Sequence, residues 1–153
     1  MDMGKRVLRA VGDHMDGRKC CPILHHLFEQ QSKITSLAQL DIYVTESIMD
    51  KPRIACFAPL AEQAARKGEK AAQEILEECA DALFALVRDT FRKASDVSGK
   101  PRNLHLWGSV LTQNKEIEMR LRKKCKEAFP ELKVDFPGVS ALDLALMLAE
   151  RKR

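Results

Sequence analysis

The stretch from Glu69 to Lys93 constrains the fold more than any other part of the chain. Ala72, Ile75, Leu76, Cys79, Leu83, Leu86, Val87 and Phe91 recur at three- and four-residue intervals. On a helix that spacing makes one wide apolar stripe. Acidic residues come early (Glu74, Glu77, Glu78, Asp81) and basic ones late (Arg88, Arg92, Lys93), which complements the helix macrodipole. A stripe this wide must be covered by other elements.

Most candidates to cover it are also helical. Met3 to His14 places Val7, Leu8 and Val11 on one face and Lys5, Arg6, Arg9 and Asp13 on the other. Asp16–Arg18 reads as a turn, and Ile23 to Gln31 as a second helix. A third starts at Ser36, a suitable N-cap, with Leu37, Leu40, Tyr43, Val44 and Ile48 as its apolar residues. Pro52 reads as an interruption. Pro59 fits a first helical turn, and Gly68 a helix stop. Ser95–Pro101 reads as a loop and as the clearest break in composition.

Beyond that loop the period changes. "NLHLW" (103–107) and "LKVDF" (132–136) alternate apolar with polar residues, as short strands do. Between them, Lys115 to Ala128 has Ile117, Leu121 and Cys125 four apart. A closing helix follows, with Ser140 and Asp143 as a capping box. Strand, helix, strand, helix predicts a parallel pair with crossover helices, hence a helix-rich α/β fold. Two strands alone are a marginal sheet, so their edges are expected to recruit a second copy of the chain as a homodimer.

The chain has 153 residues, 45% hydrophobic and 31% charged, with a net charge of +4. That suits one domain or a piece of a larger protein. With no run of about 18 apolar residues and no apolar core in the N-terminal stretch, a cytoplasmic protein off the membrane is expected. The basic run Arg120–Lys126 reads as a solvated helix face rather than a nucleic-acid patch, because no aromatic platform accompanies it. Of five cysteines, the adjacent Cys20 and Cys21 lack the spacing of a zinc pair. A metal at "CCPILHH", with His25 and His26, is therefore the weaker reading, and no metal ligand is assigned.

"LHLWGSVLTQN" (104–114) is the segment that bears on function. A strand ending at Gly-Ser and leading into a helix can be a plain turn. It can also present backbone to a nucleotide. Its sequence context resembles the C-terminal half of the N-acetylglucosamine kinase and BadF-type ATPase family, within the actin-like sugar-kinase superfamily. "MGKRVLRAVGDHMDGR" (3–18) looks like the helix and Asp-Gly-Arg turn that follow the family's phosphate hairpin. "IACFAPLAEQAARKGEKAAQEILEECADAL" (54–83) looks like its Ala-rich and long helices. "LHLWGSVL" is similar to the strand and Gly-Gly or Gly-Ser pair that lies against the adenosine, and "VDFPGVSALDLALMLA" (134–149) to the closing strand and helix.

This resemblance implies a partial ribonuclease H-like lobe, with Gly108 and Ser109 at the adenosine. ATP with Mg would be the parent family's cofactor. It also implies a separately encoded N-terminal lobe as a partner, if not a second copy. Asp143 departs from the family's usual glycine; it reads as a helix cap, and its carboxylate would sit unfavourably near a phosphate. No glycine-rich phosphate loop occurs among the seven glycines. Asp16, Asp41 and Asp135 read as turn or surface residues, so no catalytic base is assigned. The chain is expected to be the nucleotide-facing part of such a kinase or ATPase, inactive by itself. The alternative is a non-catalytic interaction or regulatory domain.

Overall fold

The computed structural model describes residues 3–47, 49–98, 103–106, 108, 111 and 114–135. Its elements in chain order are α1 (Met3–Met15), α2 (Pro22–Ser32), α3 (Leu37–Ser47), α4 (Lys51–Ala55), α5 (Ala58–Arg66), α6 (Lys70–Ser98), β1 (Asn103–His105), α7 (Lys115–Ala128) and β2 (Lys133–Asp135). The chain divides into two compact units, Met1–Leu83 and Phe84–Arg153. The closing helix expected after Ser140, together with Trp107, Ser109, Phe136 and Ile48, lies outside the described residues.

The α/β expectation, and with it the partial ribonuclease H-like lobe, is overturned. Helix dominates, and the only strands among the described residues are the three-residue β1 and β2. Each buries only its central residue in part, so this pair offers little apolar face. A strand pair this short cannot cover the helices. The apolar side chains of the first unit are buried helix against helix instead.

In that first unit α1 buries Val7 and Val11, α2 buries Leu24 and Phe28, and α5 buries Ala61 and Ala64, all at 0% exposure. The amphipathic pattern of α1 explains why it sits centrally, in contact with α2, α3, α4 and α5. The small residues of α5 allow close packing. Ala72, Leu76 and Cys79 of α6 are fully buried as well. Phe28 and Phe57 pack with ring centroids 5.0 Å apart, and Tyr43 meets Phe57 edge-on at 5.7 Å.

Three local readings are corrected. Pro52 does not simply interrupt: it occupies the first turn of α4, where a proline needs no N–H partner. Asp50 caps that helix, its Oδ1 accepting from Arg53 N at 3.2 Å. The segment from Ser95 is not a loop at once, because α6 continues to Ser98. Helix α3 does not bury its whole apolar set. Leu40 is buried, Leu37 and Tyr43 are half-buried, and Val44 stays exposed. As expected, Pro59 lies in the first turn of α5, and Gly68 follows it at φ +86°.

Candidate functional site

The expected nucleotide turn lies in the second unit. Strand β1 pairs parallel with β2 in the register Asn103↔Lys133, Leu104↔Val134 and His105↔Asp135. Leu106 N extends the pairing by donating to Asp135 O at 2.9 Å. Helix α7 makes the crossover. It buries Ile117, Leu121 and Cys125, the residues whose four-residue spacing marks its inner face, and leaves Lys123 and Lys126 on the solvated side. Arg122 joins helix and strand, bonding Glu118 Oε1 at 2.8 Å and Val134 O at 2.5 Å. Phe91 of α6 stacks on Phe129, with centroids 4.2 Å apart.

Gly108 follows β1 with φ +125°, a conformation that side chains rarely adopt. A Cβ built there would meet nothing within 4 Å among the described residues. Backbone conformation, not crowding by the described residues, therefore calls for glycine. Gly108 O accepts from Leu111 N at 3.1 Å. Ser109 and Asp143 lie outside the described residues, so only Gly108 of the assigned pair has a described position.

Asn114 was not singled out by its sequence context. It is buried and N-caps α7, its Oδ1 accepting from Ile117 N at 3.0 Å. Its signal was available: an Asn immediately before a helix with acidic residues in the first turn. Asn114→Ala should cost about 1–2 kcal/mol, as a leftward shift of the urea midpoint. An unchanged midpoint would show that water replaces the cap.

Of the acidic residues weighed as a base, Asp41 and Asp135 are exposed, and Asp16 pairs with Arg18 at 2.7 Å. Cys20 is exposed whereas Cys21 is buried, its Sγ donating to Ala10 O at 3.3 Å. Burial first, and then the Glu69 carboxylate, push the Cys21 thiol up to about 11. Burial also raises Cys79 and Cys125. These three thiols stay protonated at neutral pH and are poor nucleophiles. Among the described residues, no group of three His, Cys, Asp or Glu could hold a metal ion.

Glu69 is the polar residue that sequence reasoning placed least well. The periodic stretch begins at Glu69, yet this residue precedes α6 and is buried. Its carboxylate accepts from Ile23 N at 2.7 Å and Leu24 N at 2.9 Å, capping α2 from a distant part of the chain. Nothing local in the sequence announces such a pairing.

No described helix is long and apolar enough to cross a membrane. No family model matches the chain, and no curated protein matches it.

Proposed function

We propose that this chain supplies an adenine-nucleotide-facing wall of an N-acetylglucosamine kinase-like or BadF-type ATP-dependent protein, with Gly108 and Ser109 at the contact. One observation carries the reading: Gly108 follows a strand of a parallel pair, at a glycine-favouring φ, with no described residue where a side chain would project. The order of motifs along the sequence adds the family. On this reading the remaining walls come from a separately encoded lobe or a second copy, and the chain binds without turnover.

A single wall leaves much of the ligand exposed, so ADP should bind at about millimolar Kd. Chemical-shift mapping with ADP is expected to perturb Gly108, Ser109 and their neighbours. Perturbations clustered elsewhere would reject the placement. Turnover near about 1 per second with N-acetylglucosamine and Mg-ATP, an ordinary enzyme rate, would reject the non-catalytic part.

A specific observation favours the second reading, a non-catalytic interaction domain. A groove of about 490 Å³ in the first unit is lined by Leu8, Leu40, Val44 and Ile54, with Lys5, Arg9 and Asp41 at its polar margin. The exposed Ile42 lies on the same helix as Val44. Mapping that shows no response to ADP anywhere would favour this reading.

A further inference from the structure

His14 Nδ1 stands between a donor and an acceptor of the same connection. Cys21 N donates to it at 3.1 Å, while Lys19 O lies 3.2 Å away. One ring nitrogen cannot serve both. A lone pair on Nδ1 accepts the Cys21 N–H and leaves Lys19 O without this contact. A proton on Nδ1 turns the nitrogen into a donor for Lys19 O and leaves the Cys21 N–H facing another N–H. Imidazole is the side chain whose charge ordinarily changes between pH 5 and 8.

Cys21 is not an arbitrary loop position. It is the N-cap of α2, and its own side chain offers no capping bond. The cap is assembled from other places: His14 holds the Cys21 N–H, and Glu69 holds those of Ile23 and Leu24. We propose that His14 is a pH-dependent latch on the start of α2, closed when its ring is neutral and released when Nδ1 is protonated.

The surrounding charges include groups that act in both senses. His25, on α2, has its ring centroid 4.8 Å from that of His14. Its buried Nε2 makes no hydrogen bond among the described residues, and Glu29 Oε1 stands 3.5 Å from it. On α1 and the following turn, Asp13 and Asp16 both pair with Arg18. Lys19 Nζ is held 3.0 Å from Glu74 on α6. The buried Glu69 carboxylate would attract an imidazolium, whereas the positive N-terminal end of α2 would oppose it. The Cys20 and Cys21 thiols complete the set. Protonation thus exchanges one bond for another within an ordered loop, and the loss falls on the Cys21 amide.

Nuclear magnetic resonance of the full chain tests this. At pH 8, long-range proton–nitrogen correlations should show His14 protonated on Nε2 and bare on Nδ1. From pH 8 to pH 5 the Cys21 amide shift should follow the His14 titration. Its hydrogen-exchange protection, corrected for intrinsic exchange, should fall at least tenfold. His14→Gln retains a side-chain acceptor and removes the titration, so the Cys21 response should vanish. His25→Gln should leave that response in place. A proton on Nδ1 at pH 8 would overturn the proposal in the wild-type protein alone, whether or not a variant folds. So would a Cys21 response that survives His14→Gln with the same midpoint.

Discussion

Gly4→Ala is expected to destabilise the first unit by about 2–3 kcal/mol, the upper part of the range for overpacking a close-fitting core. Gly4 is buried in α1, where α4 crosses it. A Cβ there would overlap the Ile54 carbonyl oxygen and lie only 2.8 Å from the carbonyl carbon. Backbone cannot swing aside as the end of a side chain can. The gain in helix propensity from Gly to Ala, at most about 1 kcal/mol, is too small to offset the clash. Gly12, on the same helix, supplies the control. Its added Cβ would meet Leu40 Cδ2 at 3.4 Å, an ordinary contact with a side-chain terminus. Gly12→Ala should therefore be neutral, or stabilise by up to about 1 kcal/mol. Urea unfolding of both variants decides. Equal losses would mean that the α1–α4 crossing adapts to the methyl group.

Glu69→Ala should cost about 2–4 kcal/mol. It strips the acceptor from two N–H groups, that of Leu24 buried and that of Ile23 partly so. Each bond to a charged group contributes about 1.5–3 kcal/mol, and orphaning a buried donor costs about 1–3. Water reaching Ile23 N keeps the total below the sum. Glu69→Gln retains one carbonyl acceptor but turns an NH2 group toward the helix start, so it should fall between wild type and alanine. Cys21 supplies an independent readout, because the Glu69 carboxylate is among the causes that raise its thiol. Its titration should move down in Glu69→Gln. A midpoint within about 0.5 kcal/mol of wild type for the alanine variant, the scale of a neutral surface change, would show that the carboxylate does not hold α2.

Periodicity reveals where the helices lie, because repeats such as Val7, Leu8 and Val11, or Ile117, Leu121 and Cys125, require only neighbours along the chain. Those residues are all buried. The same signal fails where burial depends on what lies opposite. Leu86 fits the stripe of α6 yet is 64% exposed, and Val44 fits that of α3 yet lines an open groove. A pattern states which side chains share a face, not whether anything covers that face. The sheet was overestimated for a related reason. Alternation at Asn103–Trp107 and Leu132–Phe136 marks extended chain, but the fold class depends on how much of it pairs, and pairing is described for three residues of each. Gly108 was legible as a turn glycine and is found at positive φ. Asn114 was legible in principle through its position before an acidic first turn. Glu69 and His14 were not, since their partners follow from how loops meet in space.

The distant cap on α2 also sets an order in time. Ile23 and its acceptor are separated by 46 positions. A ribosome adding about 5–20 residues per second makes the start of α2 roughly 2–9 seconds before the carboxylate that completes it. During that interval two amides of the first turn have only water as acceptors, and nascent α2 is short enough to be marginal unaided. Arrival of Glu69 brings the beginning of α6 with it, so the helix start and the segment that closes over it become ordered in the same step. Vectorial synthesis thus leaves the start of α2 provisional until the chain has passed Glu69.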